Sequence, residues 1–334
     1  MPKDSPKTTR RRALGALGAL PLWGGLVQVA PGQAPGTASV PAALAGQKAM
    51  PMGKIGDLAV SRLISGSNLI SMNMHARDLS YLRDLAARYN TEERIFRTLQ
   101  KCEACGVNTI VLKNHNFARF RLSRYWKDWG GQMQWIADVI TTDIAKYEAL
   151  LVEHLDLGAS AAYLWGGASD IWWHQKKPGN IVKAFEIMKR YGIPAGIGAH
   201  RLEPIAFCVK EGLTPDFYFT TLHHDRYWSA HPRQKRRFME MYEPDSDDHS
   251  EYHDNMFCHD PEKTAALMQG VKVPWIAFKV LAAGAIAPED GFAYAFRHGA
   301  DFLCVGMFDF QVEQDADLVR QTAAAAQGRA RPWA

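Results

Sequence analysis

The chain has 334 residues, 47% of them hydrophobic and 22% charged, with a formal net charge of +4 at pH 7. That is an ordinary globular composition, with length enough for one large α/β domain and its core. Lys3, Lys7, Arg10, Arg11 and Arg12 against Asp4 account for the positive excess, so the rest is near neutral and implies neither a nucleic-acid nor an anionic-membrane partner.

Chain order begins with Thr9-Arg10-Arg11-Arg12-Ala13-Leu14 and an apolar run to Ala30. This resembles a twin-arginine export signal: a basic n-region, a modest h-region and, at Ala43-Leu44-Ala45, a small-residue cleavage site. Residues 1–45 are therefore expected to be a signal peptide, recognised by the twin-arginine export machinery, and the mature protein to be periplasmic or secreted. Gly15, Gly18, Pro21, Gly24 and Gly25 break the apolar run too often for a membrane span, so no membrane partner is expected after cleavage. The same segment also reads as a disordered basic tail. The resemblance implies export in the folded state, with a metal or nucleotide already bound.

From residue 53 to 327 short β-type runs alternate with longer helical patterns, the signature of a parallel sheet with crossover helices. The strand candidates are 62–66, 108–112, 135–140, 161–165, 195–199, 217–222, 275–281 and 302–307. Helical stretches include 91–105, 142–157, 180–191 and 261–270. Gly106, Gly158, Gly192 and Gly212 stand where four helices need a left-handed end. Cys102 and Cys105 fall on one face of the first of these helices, and read as core. Five scattered cysteines give no disulfide framework. Eight βα units predict the α/β class and a closed (β/α)8 TIM barrel. A doubly wound sheet is the competitor, disfavoured because no G-x-G-x-x-G follows the first strand. After the sixth strand a long βα loop runs from His223 to about Asp260, a length usual for functional loops or lids.

Several segments resemble the aldo/keto reductase superfamily. Residues 56–66 are similar to its opening hairpin and first strand, and Cys105-Gly106-Val107-Asn108-Thr109-Ile110 to its second. Ile193-Pro194-Ala195-Gly196-Ile197-Gly198-Ala199-His200 resembles the strand that leads to the family's nicotinamide contacts, and Trp275–Gly284 its seventh strand. The resemblance implies a barrel and, as one reading of function, an NAD(P)-dependent oxidoreductase. The sequence departs from the family's Asp-Tyr-Lys-His tetrad: Val111 and Leu112 stand where the Asp is expected, no Lys ends the third strand, and no His ends the fourth. Ala282–Ile286 and Gly299–Gly306 also resemble the Gly-rich ends of strands seven and eight in phosphate-binding barrels. Gly284 and Gly306 are thus candidate cofactor contacts, with simple close packing as the alternative.

Chemistry on a barrel belongs at the strand C-termini. Those ends carry Lys113 and His115, Asp138, His200, His223 and His224, Lys279 and Asp309. His200, His223 and Asp309 are read as ligands of a divalent metal (Zn, Mn or Fe), since imidazole and carboxylate suit such ions. Lys113, His115, His224 and Lys279 are the catalytic candidates, lysine as base or electrostatic stabiliser and histidine as proton carrier. Trp126, Trp165, Trp172 and Trp228 fall after strand ends and are read as a stacking surface for substrate. Together these features predict an exported, metal-assisted isomerase, lyase or hydrolase acting on a sugar or polyol-like small molecule. An aldo/keto reductase-type oxidoreductase and a barrel that binds ligands without catalysis are the alternatives.

Overall fold

The computed structural model describes residues 49–75, 79–112, 121–230, 232–236 and 258–334. A two-stranded antiparallel hairpin, β1 (Met52–Ile55) and β2 (Leu58–Ser61), precedes eight parallel strands. These are β3 (Leu63–Gly66), β4 (Thr109–Leu112), β5 (Gln134–Val139), β6 (Ala161–Leu164), β7 (Ala195–Ala199), β8 (Phe217–Thr221), β9 (Trp275–Phe278) and β10 (Phe302–Gly306). They close in the order β10-β3-β4-β5-β6-β7-β8-β9, with β10 also paired to β9. Each of the eight predicted runs overlaps one strand, and the fold is the (β/α)8 barrel that their alternation with helices predicted.

Outside lie α1 (Ser80–Tyr89), α2 (Glu92–Ala104), α3 (Ser123–Trp129), α4 (Tyr147–Asp156), α5 (Gly166–His174), α6 (Gly179–Lys189), α7 (Leu202–Lys210), α8 (Pro261–Gln269), α9 (Pro288–Arg297) and α10 (Val312–Ala325). The local rules are plain in α2. Thr91 caps it by accepting the Arg94 N–H at 3.3 Å, and Glu92 and Glu93 sit at the positive end of its dipole. Ile95, Phe96, Leu99 and Cys102 recur at helical spacing on the buried face. Burying each large side chain contributes about 1.5–3 kcal/mol. The helix stops where Gly106 turns left-handed (φ +83°) and Val107 N–H reaches back to Cys102 O.

Strand residues alternate between two apolar environments, as a parallel sheet buried on both faces requires. Leu63, Ile110, Trp135, Ala162, Ile197, Trp275 and Leu303 pack outward with the helices. Ile64, Ile136, Phe217, Ile276 and Phe302 fill the interior with Ile55 and Val60 of the hairpin, which plugs the N-terminal end. β7 offers the interior no side chain at two positions. A Cβ on Gly196 would lie 2.4 Å from the Phe217 ring, and one on Gly198 3.0 Å from the Tyr163 ring. Those glycines are what let two aromatic rings share a narrow barrel.

One strand boundary differs from expectation by more than a residue. The predicted run to residue 281 ends at Phe278, because Lys279 adopts φ +57° and turns the chain out of the sheet. Among the described residues no helix is long and apolar enough to cross a membrane. Residues 1–48, and with them the predicted signal, lie outside the described residues.

Candidate active site at the barrel mouth

A cavity of about 1040 Å³ opens at the C-terminal ends of the strands. Its floor is the last interior layer of the barrel: Val111, Asp138, Tyr163, Phe219, Phe278 and Cys304. Tyr163 stacks on Phe219 with centroids 4.5 Å apart, and Phe219 lies 4.6 Å from Phe278. Burial pushes the Tyr163 phenol well above its ordinary range, and the neighbouring Asp138 carboxylate, to which it hydrogen-bonds, pushes it further. Tyr163 is therefore a neutral hydroxyl held against a carboxylate.

His200, immediately after β7, is fixed by a carboxylate from α5. Asp170 is buried and accepts three hydrogen bonds: His200 Nδ1–H at 2.8 Å, His200 N–H at 3.1 Å and Arg201 N–H at 3.2 Å. This sets the tautomer and leaves Nε2 as the ring nitrogen available to a ligand. Desolvation lowers the His200 pKa, the Asp170 hydrogen bond opposes that, and nearby Lys279 lowers it further. The ring is a neutral base at physiological pH. Its edge meets Phe278 with centroids 5.2 Å apart. Two glycines seat this arrangement: a Cβ on Gly166 would come 3.2 Å from His200 Nδ1, and one on Gly167 2.4 Å from the Trp165 ring.

Lys279 also lines the cavity, its ammonium 5.8 Å from the Phe278 ring centroid. The left-handed backbone of a non-glycine residue at this point is strained, the kind of outlier that clusters at ligand sites. Ser67, Asn68 and His75 line the cavity as well.

Of the predicted residues, the cavity gathers His200, Lys279, Trp165, Gly284 and Gly306. Lys113 and His115 lie outside the described residues. The metal trio is corrected. Among the described residues no group of three His, Cys, Asp or Glu is placed to hold an ion. His223 spends both ring nitrogens on backbone, Nδ1 with His224 O at 2.9 Å and Nε2 accepting Cys258 N–H at 2.6 Å. Asp309 is taken by Tyr89 and by Arg94, the latter at 3.1 Å. His224 is not a proton carrier in this cavity: it is buried, bound to Asp290 at 2.7 Å and to Arg226 N–H at 3.1 Å, and it anchors the start of the long loop.

Three tryptophans are corrected too. Trp126 donates its indole N–H to Met133 O and packs by Gly158, both just before strands rather than after them. Trp172 is core, bonded to Thr142 O. Trp228 is 82% exposed and lies off the cavity. Sequence reasoning passed over Tyr163 and Asp170. The one available signal for Asp170 was the Trp165-Gly166-Gly167 break, which starts a helix directly at a strand end.

Gly284, after β9, and Gly306, the last residue of β10, are the candidates for a phosphate seat. The first turns of α9 and α10 carry Glu289 and Asp290, and Glu313 and Asp315. Burial, together with Glu289, raises the Asp315 pKa to about 6. These acidic turns do not fit an anion at either helix end. Gly306 pairs with Gly66, where a Cβ would lie 3.0 Å from Gly306 N, so there the small residues serve closure of the barrel.

No protein-family model matches the chain, and no curated protein matches it. Solved structures do. A protein from Pseudomonas aeruginosa assigned as an aldo-keto reductase is similar at TM-score 0.51 and 14% identity, covering 81% of this chain and 94% of that one. A glycerol dehydrogenase from Gluconobacter oxydans is similar at TM-score 0.48 and 11% identity, covering 82% and 93%. At such identities the likeness is one of fold. The chain is a (β/α)8 barrel of the architecture that aldo-keto reductases share.

Proposed function

We propose that this chain is an enzyme that transfers protons at the carbon next to the carbonyl of a small molecule bound in the barrel mouth. The observation that carries this reading is the Asp170–His200 pair: a neutral imidazole, locked in one tautomer, with Nε2 left for substrate. His200 takes a proton at Nε2, and Asp170 stabilises the imidazolium that forms. The Lys279 ammonium stabilises negative charge developing on the substrate oxygen. The Tyr163 hydroxyl gives its one proton to Asp138, so at the floor its oxygen serves as an acceptor for a substrate hydroxyl. Isomerisation and elimination both follow from such a site. The twin-arginine pattern supports action after export, in the periplasm or outside the cell.

The fold likeness supports a second reading, an NAD(P)-dependent oxidoreductase, although the acidic first turns of α9 and α10 disfavour a phosphate at those two helix ends. One experiment separates the readings. Carbonyl compounds are incubated with the protein in D₂O, with and without NADPH, and followed by NMR. The proposal expects deuterium next to the carbonyl without nucleotide, reduced at least 100-fold in His200→Gln and in Asp170→Asn. Reduction that requires NADPH, with no exchange in its absence, would establish the second reading instead. Neither reaction from any carbonyl compound bound by the protein leaves a barrel that only binds.

A further inference from the structure

Beyond the chemistry of the floor, the cavity walls carry information about what fills it. Among the described residues the polar groups belong to the strand ends and to the segment after β3: Asp138, Tyr163, His200 and Lys279 below, with Ser67, Asn68 and His75. The wall contributed by α1 and by the segments after β9 and β10 is mostly apolar, with Leu82, Leu85, Val280, Leu281, Phe308 and Phe310 lining the space. Among the described residues its polar members are Arg88, Gln311 and Tyr89, whose hydroxyl is bound to Asp309. Leu85 is 60% and Phe310 64% exposed although both line the cavity, so they form an apolar rim. Phe308 and Phe310 stack with centroids 5.4 Å apart, and Tyr89 meets both edge-on.

An exposed apolar rim leading to an aromatic floor costs solvation free energy unless a ligand covers it. A sugar, with a hydroxyl on nearly every carbon, would leave those hydroxyls unpaired against Leu and Phe side chains. We infer that the substrate is a bulky apolar carbonyl compound with an aromatic or polycyclic body. The oxygen sits at the His200–Lys279 end and the body lies along α1 and the Phe308–Phe310 wall. This replaces the sugar or polyol expected from the tryptophans, only one of which, Trp165, among those proposed for substrate, lines the cavity. The inference rests on the proton-transfer reading for the orientation of the ligand, but not for its apolar character.

The test uses 2-acetylnaphthalene and D-xylose as probes, with binding followed by calorimetry on the whole protein. The ketone is expected to bind and the sugar to give no heat at the same concentration. Leu85→Arg and Phe310→Arg are expected to weaken the ketone at least tenfold, and their melting temperatures check that the barrel is intact. His200→Gln should retain the ketone within a few-fold. Xylose binding as tightly as the ketone, or rim variants that bind the ketone unchanged, would overturn the inference. Ketone binding without deuterium exchange at its methyl group would sink the proton-transfer reading and leave the substrate class standing. Exchange on a sugar carbonyl with no ketone binding would do the opposite.

Discussion

Asp170 shows how much one side chain contributes when it is buried and fully used. Its two oxygens hold the His200 ring, the His200 backbone and the Arg201 backbone, so removing its charge disturbs a loop as well as a base. The pH dependence of turnover follows from the same contacts. His200 works as a base when neutral, and burial keeps its pKa below the ordinary value, so kcat/KM is expected to fall on the acid side only below the range where a free histidine titrates. A limb at higher pH, unmoved in Asp170→Asn, would count against His200. Asp315 makes a separate prediction. Its folded pKa is raised to about 6 while the unfolded chain ionises near the ordinary 3.8, so it opposes folding increasingly as pH rises from about 4 to 6. Asp315→Asn is accordingly expected to stabilise the protein at pH 7–8, by up to ~3 kcal/mol, and to have little effect near pH 3. Urea denaturation at the two pH values checks this.

At the scale of elements, α1 is held over the mouth by a small polar latch. Tyr89, its last residue, and Arg94 in α2 both bond Asp309, which follows β10. Those bonds keep the Asp309 carboxyl below its ordinary pKa against a desolvation that raises it. Asp309→Ala is expected to loosen the α1 wall, raising KM for an apolar substrate three- to tenfold with kcat nearly unchanged. An effect confined to kcat would place Asp309 in the chemistry instead. The segment after β8 is anchored in another way: Arg236 bonds Asp225 and the carbonyls of Cys258 and His259, while His223 takes the Cys258 N–H. His223, read from the sequence as a metal ligand, and His224, read as a proton carrier, are therefore fastenings of that loop.

Across the whole molecule, the end opposite the cavity is fastened by a buried ionic cluster. Asp301 is fully buried and accepts from Trp275 N–H and Ala334 N–H, each at 3.0 Å, with Arg329 and Arg331 at 3.4 and 3.3 Å. The Arg329 and Arg62 guanidinium groups lie over the Trp333 ring, 3.5 and 4.4 Å from its centroid. Deleting residues 329–334 strands a buried carboxylate, and is expected to cost about 3–5 kcal/mol of stability. Thermal or urea unfolding that changes by less than 1 kcal/mol, the scale of a surface ion pair, would contradict this.

The barrel was legible because it follows from local rules. Period-two apolar runs such as 195–199 bury both faces, helical spacing such as that of Ile95, Leu99 and Cys102 buries one, and glycines 106, 158, 192 and 212 stand where φ is positive. Each of these is decided within a few residues of chain. The site was only partly legible, because its decisive contacts join distant segments. His200 and Lys279 were visible as strand ends, but nothing near His200 in sequence announces Asp170, thirty residues earlier, as its partner. His223 and Asp309 were expected as metal ligands and His224 as a proton carrier, yet tertiary packing commits their side-chain atoms to Cys258, Asp290, Tyr89 and Arg94. Residue type and position along a strand determined which groups stand at the mouth. Only the three-dimensional closure of the sheet decided which of them keep a free lone pair there, because a hydrogen bond already made inside the protein removes that atom from chemistry.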